Sequence, residues 1–450
     1  MNNDLFKEFH TVSAKQWKQK IQCDLKGASY NDTLIWHTNE DISVKPFYHS
    51  DDFKDYPPVS NTKATSWKIY ESIHVTKVPN ANKKANHAIS QGVESIQFII
   101  ASPDISIQEL IKNIDTKTVL LTFNLSFLSE TYTKTILTIV PNAIINIDII
   151  GGLAKTGSWL ENLKSDFFSF QSVFNQTTSI SINTTLYQNA GATIVQQLAY
   201  SLAHANEYLN LLEKVTNLDT IIFQVSVGTN YFFEIAKLRA LRVLWASLAR
   251  AYNLSENCKI MAFPTKRNKT IYDNHTNMLR TTTECMSAIL GGANLVSNLP
   301  YDAIYRKDHE FGERISRNQL LILKHESYFN KVDNPADGAY YIERLTTQLA
   351  EKALTLFKNI ESGGGYLKQL KDGTIQRKIK DSALKEQKLF NNQEDILVGT
   401  NKFPNPNDKM KEQLELYPFV KHNSRKTLIE PIIEKRLAEY LEQTRLKNEH

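Results

Sequence analysis

Cysteine and long hydrophobic runs are both scarce in this 450-residue chain. Its three cysteines, Cys23, Cys258 and Cys285, are far apart and odd in number. That pattern argues against a disulfide framework or a zinc cluster and indicates a reducing compartment. The longest apolar run, residues 135–150, is interrupted by proline, asparagine and aspartate, so it does not fit a membrane span. The first ten residues lack the apolar core of a signal peptide, and we expect a soluble, cytoplasmic protein.

An excess of one charge is lacking as well. The 53 lysines and arginines face 48 acidic residues, which gives a net charge of +5. Spread over a chain of this size, such a balance gives no argument for binding nucleic acid or a membrane. The hydrophobic fraction, 41%, is that of an ordinary globular protein. The length favours two or three domains, or one large domain with extensions.

What the sequence does contain is a regular alternation of strand-like and helix-like segments. Apolar residues recur with helical periodicity most clearly in residues 192–212 and 232–252. Eight strands alternating with helices over residues 67–330 predict an α/β fold, a (β/α)8 TIM barrel of parallel strands, with a doubly wound sheet as the alternative. The eight β-rich runs are 67–75, 94–101, 117–125, 143–150, 179–187, 220–227, 259–265 and 293–300.

The predicted barrel lies between two extensions. Residues 1–66 are predicted to form an N-terminal arm, in which Ser13 and Gln16 have the spacing of a capping box that begins a short helix. Residues 34–48 look extended, and 55–62 have the composition of a linker. Residues 331–450 are predicted to form a C-terminal helical and linker segment, with two amphipathic helices and a polar helix at the end.

The candidate site residues follow from the barrel, because its active site lies at the C-terminal ends of the strands. This set lacks what most mechanisms need: we find no histidine or cysteine at a predicted strand end and no pair of carboxylates placed as acid and base. Motifs for metal, phosphate or an activated serine are absent too. The substrate-cleft candidates are Ser181, Asn183, Asn230, Thr265, Lys266 and Asn298.

Three residues have competing interpretations. A desolvated Lys266 would suit a Schiff base with a carbonyl substrate, but its cationic neighbours Arg267 and Lys269 favour a solvated loop. Asn230 stands just before a helical segment and is either its N-cap or a cleft residue. His204 lies within a helical segment and is predicted to be a packed or surface histidine.

Several long segments of the chain resemble the methylmalonyl-CoA mutase family. Among them are "NAGATIVQQLAYSLAHANEYL" at 189–209, "VGTNYFFEIAKLRALRVLWA" at 227–246 and "NMLRTTTECMSAILGGANLVSNLPYD" at 277–302. Residues 313–361 and 363–403 continue the resemblance in the same order, and the arm is similar to that of the small subunit in heterodimeric members. The resemblance implies a part in propionate metabolism, where the family interconverts (R)-methylmalonyl-CoA and succinyl-CoA with adenosylcobalamin.

The same resemblance implies that three parts of a catalytic chain are missing. Catalytic chains carry a histidine in a motif like F-H-T-Q-T at the end of strand seven, whereas this chain has Pro264 and Lys266 at the positions of the histidine and the glutamine. Residues 55–67 do not match the CoA-binding arm, and the cobalamin motif D-x-H-x-x-G is absent. We therefore expect no catalytic, cofactor-binding or metal-ligating residues here, and no cobalamin-binding domain.

The expected role is that of a non-catalytic small subunit that supports a larger catalytic subunit. The larger chain of the heterodimer would bind adenosylcobalamin, and the complex would isomerise the acyl-CoA substrate. Trp17, Leu34, Trp36 and Phe47 are the partner-interface candidates, because apolar anchors separated by polar residues are typical of a wrapping strap. A strap folded over its own barrel is the alternative.

Two other functions stay open. One is a stand-alone CoA-thioester-binding or regulatory module. The other is an independent barrel lyase that uses Lys266 as its Schiff base.

Overall fold

A computed structural model describes residues 8–55, 57–60, 62–212, 215–421 and 425–449. It contains a short antiparallel hairpin, β1 and β2, and a sheet of eight parallel strands, β3 to β10. Their bounds are β1 Trp36–His37, β2 Ser43–Val44, β3 Lys68–His74, β4 Ser95–Ile100, β5 Leu120–Leu125, β6 Ile144–Asn146, β7 Ser179–Asn183, β8 Thr220–Val227, β9 Cys258–Pro264 and β10 Leu295–Ser297.

The eight-stranded sheet curls into a barrel, which confirms the predicted (β/α)8 fold. The strands follow the order β6-β5-β4-β3-β10-β9-β8-β7, so the last strand pairs with the first. All these pairings are parallel, as connections through helices require. Seven strands lie within the predicted runs, and β9 begins one residue earlier.

Helices alternate with the barrel strands and continue after them. The arm contributes α1 and α2, and α3 to α12 belong to the barrel. The bounds are α1 Ala14–Asp24, α2 Tyr30–Leu34, α3 Val78–Ser90, α4 Ile107–Leu110, α5 Glu130–Ile139, α6 Ile149–Thr156, α7 Leu163–Thr177, α8 Thr185–Asn189, α9 Ile194–Leu211, α10 Tyr231–Ala251, α11 Thr276–Leu290, α12 Glu310–His325, α13 Tyr340–Ser362, α14 Tyr366–Lys371, α15 Thr374–Asn391 and α16 Glu439–Lys447. The helices predicted at residues 192–212 and 232–252 are confirmed as α9 and α10, and the capping box of Ser13 and Gln16 begins α1.

The sheet has one seam, between β6 and β7, where no backbone ladder joins the described residues. Asp148 bridges this seam, because its carboxylate accepts the backbone N–H of Asn183 at 2.8 Å. The same carboxylate accepts the N–H of Gly151 at 2.8 Å and so caps α6. The prediction of a strand over 143–150 was therefore wrong beyond Asn146, since Asp148 begins a helix there.

The core has two parts, one around the barrel and one inside it. Outside, the helices pack on the β-strands, and α13 lies against α9 and α10 with Leu345, Leu349 and Ala353 buried. Inside, seven apolar side chains close the barrel axis: Tyr70, Leu120, Ile144, Ile222, Met261, Phe263 and Leu295. None of the described helices combines the length and apolar character needed to cross a bilayer. The domain boundaries expected after residues 66 and 330 stay a prediction.

Candidate functional site

A cleft of about 1200 Å³ lies beside the C-terminal ends of β8 and β9. The turn of the β1–β2 hairpin, the start of α9, the start of α10 and the loop after β9 surround it, and α11, α13 and α15 complete the wall. Polar and charged residues line much of it, including Glu40, Thr193, Asn230, Glu234, Thr265 and Arg267. The cleft is therefore the place where a (β/α)8 barrel would hold a ligand.

Behind the lining residue Glu234 lies a buried charge pair. Lys237 and Glu234 are each 2% exposed, and their charged groups are 2.5 Å apart. The ammonium also donates to the side chain of Gln188 at 3.0 Å and to the carbonyl of Ser226 at 2.6 Å. Because these charges neutralise each other, the cluster fixes the α8–α10 contact rather than offering an unpaired acid or base.

Two of the six predicted cleft residues line this cleft. Thr265 is buried, and its hydroxyl donates to the Oδ1 of Asn189 at 2.8 Å. Asn230 is exposed at the N-cap position of α10, yet among the described residues its side chain makes no capping hydrogen bond. The absence of a capping bond favours a cleft role for Asn230 over a capping role. That cleft role stays a prediction.

Three other predicted residues are engaged elsewhere. Ser181 is buried inside the barrel and accepts a hydrogen bond from Gln224 at 3.0 Å. Asn183 accepts from the hydroxyl of Thr185 at 2.6 Å. The amide of Asn298 donates to α12, at 2.9 Å from both the Ser316 carbonyl and Gln319. These side chains do not converge on one point, so the six residues do not form a single constellation.

Pro264 is the last residue of β9, and Lys266 follows it in the loop. Pro264 is buried and lies opposite Val227 in the sheet, whereas the Lys266 side chain is exposed. An exposed ammonium lacks the desolvation that a Schiff-base lysine needs. Solvation of Lys266 itself therefore fits the structure better than the lyase interpretation. The expectation of a solvated loop around it was wrong, because Arg267 and Lys269 are buried and paired with Glu386 and Glu284.

A histidine does stand at a strand end, so the expectation of none was wrong. His74 is the last residue of β3. Burial lowers the pKa of His74, and the charge of Lys266 lowers it further, against a raising effect of Asp308. The sequence could have placed His74 at this strand end, because the alternation along "WKIYESIH" puts it on the same face as Tyr70 and Ser72.

The loop after β9 is tied to the C-terminal segment of the chain, defined here as residues 425–449. The backbone N–H of Leu437 donates to the Arg267 carbonyl at 2.9 Å, and the guanidinium of Arg436 donates to the Lys269 carbonyl at 2.9 Å. Arg436 is also paired with the fully buried Glu442 at 2.7 Å. The C-terminal segment thus crosses the strand ends and holds the loop in place.

A second buried network surrounds His204, which is confirmed as a packed residue. Its Nε2 lies 2.9 Å from Asp148, and its Nδ1 lies 3.0 Å from the Tyr187 hydroxyl. That hydroxyl is 2.5 Å from the hydroxyl of Tyr366, whose ring stacks on the imidazole. His204, Tyr187 and Tyr366 are at most 1% exposed, so this chain of hydrogen bonds is part of the core. Sequence spacing does not reveal this network, because its members are far apart in the chain.

The predicted interface residues of the arm are only lightly packed. The helix α1, described in full, has no buried residue, and its Trp17 is 46% exposed although it stacks on Phe47 at 4.4 Å. Trp36 is 51% exposed and touches the buried Phe233 edge-on. Leu34 and Phe47 are half-buried. The arm therefore contacts its own barrel yet leaves large aromatic surfaces in solvent.

The fold defines the class as a (β/α)8 barrel, with a cleft beside the C-terminal ends of β8 and β9. Residues 145–446 match the methylmalonyl-CoA mutase family. The methylmalonyl-CoA mutase small subunit of Porphyromonas gingivalis is 34% identical, covering 89% of this chain and 71% of that one. The methylmalonyl-CoA mutase of Rhizobium meliloti is 28% identical, covering 89% of this chain and 65% of that protein. The Porphyromonas gingivalis large subunit is 32% identical over 53% of this chain and 34% of its own length. This chain belongs to the methylmalonyl-CoA mutase family, and it spans about two thirds of the length of the first two relatives.

Proposed function

We propose that this chain is the small, non-catalytic subunit of a methylmalonyl-CoA mutase, paired with a larger catalytic subunit. The complex would interconvert (R)-methylmalonyl-CoA and succinyl-CoA with adenosylcobalamin. One bacterium has both a small and a large subunit of this enzyme, and this chain is similar to each of them. Its identity to the small subunit, 34% over 89% of the chain, is higher than its 28% identity to the Rhizobium meliloti mutase over the same share, which favours that role.

The observation that carries the proposal is Pro264 at the end of β9. The family's catalytic chains resemble this segment but carry a histidine there. Proline offers neither a side-chain donor nor a backbone N–H. Losing a positioned acid or base of this kind costs on the order of 10²–10⁴-fold in rate. The exposed Lys266 next to it supplies no substitute.

The filled barrel axis gives independent support. In catalytic chains of the family, the CoA of the substrate threads the barrel. Here Tyr70, Met261 and Phe263 pack against one another on that axis with the other members of the inner cluster. Tyr70 and Met261 are at most 1% exposed. This packing argues against CoA passing through the barrel, and so against the alternative of a stand-alone CoA-thioester-binding module.

His204 does not fit cobalamin, which needs a nitrogen available to cobalt. Both ring nitrogens of His204 are within hydrogen-bond distance of Asp148 and Tyr187. Since the sequence also lacks the motif D-x-H-x-x-G, cofactor binding is assigned to the larger subunit.

The arm is the proposed contact with the larger subunit. Trp17 and Trp36 each leave about half of their surface in solvent, and buried aromatic anchors dominate binding energy at interfaces. Leu34 and Phe47, half-buried beside them, complete the proposed surface. Burial of these four side chains on the partner would remove the arm's exposed apolar surface from water.

The test is reconstitution with a larger subunit that carries the cobalamin motif. We expect this chain alone to show neither mutase turnover nor cobalamin binding, and the equimolar complex to show both. The larger subunit alone is the control, and we expect it to be less active or less stable than the complex. Turnover by this chain alone would overturn the proposal.

Two further measurements separate the alternatives. Calorimetry with methylmalonyl-CoA on this chain alone should show no binding, and binding would favour the CoA-thioester module. Borohydride trapping with carbonyl metabolites should leave no adduct on Lys266. An adduct there would favour the lyase.

A further inference from the structure

Polar side chains line one half of the barrel interior, on the adjacent strands β3 to β6. Tyr70 on β3 belongs to the inner apolar cluster, and alternation along the strand puts Ser72 on the same face. The Ser72 hydroxyl donates to the carbonyl oxygen of the Gln97 side chain on β4 at 2.9 Å. Thr122 on β5 lies directly opposite Gln97 in the sheet. These residues therefore share the interior of the barrel.

Four side-chain atoms of this inner wall have no hydrogen-bond partner among the described residues. They are the Oη of Tyr70, the Nε2 of Gln97, the Oγ1 of Thr122 and the Oδ1 of Asn146 on β6. All four residues are at most 2% exposed. The Asn146 amide does donate across the barrel to the sulfur of Met261 at 3.8 Å, which leaves its carbonyl oxygen unused. Because an unpaired buried polar group is costly, four of them on adjacent strands indicate a bound molecule.

The four groups are close to one another. Burial raises the pKa of Tyr70, and the nearby Thr122 side chain opposes that rise, yet the two hydroxyls do not meet in hydrogen-bonding geometry. Gln97 lies on the strand between them. The interior of an eight-stranded barrel is just wide enough for side chains to fill. The short side chains of Ser72 and Thr122, one on each side of Gln97, therefore leave room for a small molecule.

Other polar side chains of the barrel satisfy their hydrogen bonds within the protein. On the facing half of the wall, Gln224 on β8 donates to the hydroxyl of Ser181 on β7 at 3.0 Å. On β4 itself, the Ser95 hydroxyl donates to the backbone carbonyl of Leu120 at 2.8 Å. A polar residue inside this barrel is thus not unpaired as a rule, which sets the four groups on β3 to β6 apart.

We propose that these four atoms form a buried water-binding site on the inner wall of the barrel. The Nε2 of Gln97 donates to the water, the Oδ1 of Asn146 accepts from it, and the two hydroxyls can do either. Water both donates and accepts, whereas an amide donor beside a carbonyl acceptor suits an ion of neither sign. A buried water typically makes about three such bonds. The inference goes beyond the proposed function and does not depend on it.

A high-resolution crystal structure of the full chain tests the site directly. We expect an ordered water within about 2.7–3.2 Å of the Nε2 of Gln97 and of at least one of the other three atoms. The same density would show whether the side chains move to satisfy each other. A dry site, in which the Nε2 of Gln97 contacts only protein atoms, would overturn the proposal.

A matched pair of variants tests the site in solution by urea unfolding. Thr122→Val nearly keeps the side-chain shape and removes one partner of the water, so the unfolding midpoint should fall. Thr133→Val is the control, because Thr133 on α5 is equally buried and its hydroxyl is likewise unpaired among the described residues, but it lies outside the barrel. Removing an isolated unpaired hydroxyl should leave the midpoint unchanged or raise it. A midpoint for Thr122→Val equal to or above that of Thr133→Val would contradict the water site. Since neither experiment measures activity, failure here is distinguishable from failure of the proposed function.

Discussion

The loop after β9 and the N-terminal arm differ sharply in how they are held. In the loop, Lys269 is 1% exposed and pairs with the fully buried Glu284 at 2.8 Å, and Arg436 and Glu442 brace it from the C-terminal segment. The arm, by contrast, leaves Trp17 and Trp36 half in solvent. The loop that follows Pro264 is locked here by charge pairs, whereas the region proposed for association is left exposed.

The sharpest test of the locked loop is Lys269→Met. The variant leaves Glu284 buried without its charge partner, which typically costs about 3–5 kcal/mol of unfolding free energy. Urea unfolding measures the loss. The double variant Lys269→Met with Glu284→Leu should recover most of it, because both charges are then removed. Lys266→Ala, in the same loop but exposed, should stay within about 0.5 kcal/mol. A Lys269→Met variant as stable as Lys266→Ala would show that the loop is not locked.

A smaller loss is expected at the barrel seam from Asp148→Asn. An amide cannot accept all the bonds that the Asp148 carboxylate takes from His204, Tyr208 and two backbone N–H groups. Losing hydrogen bonds to a buried charge costs about 1.5–3 kcal/mol, measured by urea unfolding at neutral pH. The exposed Asp381→Asn should be neutral. Equal stability of the two variants would contradict the bridging role of Asp148.

The same variant should change the response to acid. Burial on its own would raise the pKa of Asp148, but His204 and the N–H groups of Asn183 and Gly151 bring it below its usual 3.8. A lowered pKa contributes stability above pH 3.8 that is lost as the pH falls through the folded value. The wild-type chain should therefore lose this part of its stability in acid, and Asp148→Asn should not. Parallel losses of unfolding free energy in both proteins below about pH 4 would argue against the linkage.

On the exposed side of the comparison, Trp17→Ala should weaken binding of the larger subunit. Truncating an aromatic anchor at an interface typically costs about 2 kcal/mol, which is roughly a 30-fold loss of affinity. The variant should change the unfolding free energy by less than about 1 kcal/mol, because α1 has no buried residue among those described. Calorimetric titration measures the affinity. Phe168→Ala on α7, whose side chain is 77% exposed, is the matched control. Equal affinities of the two variants would remove Trp17 from the interface.

The sequence predicted the barrel well because its signal is local. Buried parallel strands read as short β-rich runs, as in β4, where Ile96, Phe98 and Ile100 are fully buried. The Asp148–His204 contact joins residues 56 positions apart, and the hydrogen bond of Tyr187 with Tyr366 joins residues 179 apart. No periodicity in one chain reports such pairs. The docking of the C-terminal segment was missed for a related reason, since its contacts, the buried Ile429 and Ile432 in the core and the bond of Arg436 to the Lys269 carbonyl, join residues far apart in the chain.

The smallest effect is expected from restoring the family's histidine with Pro264→His. The new imidazole would stand at the end of β9, but Tyr70, Met261 and Phe263 would still close the barrel axis. If the substrate cannot enter the barrel, the imidazole of the new histidine cannot contact it. We therefore expect the variant alone to remain inactive, and turnover of its complex with the larger subunit to stay within about twofold of the parent complex. Adding Lys266→Gln restores both of the family's residues and should change nothing more. A rise in the turnover of the complex well beyond twofold with either variant would mean that the filled axis is not the barrier to chemistry in this barrel.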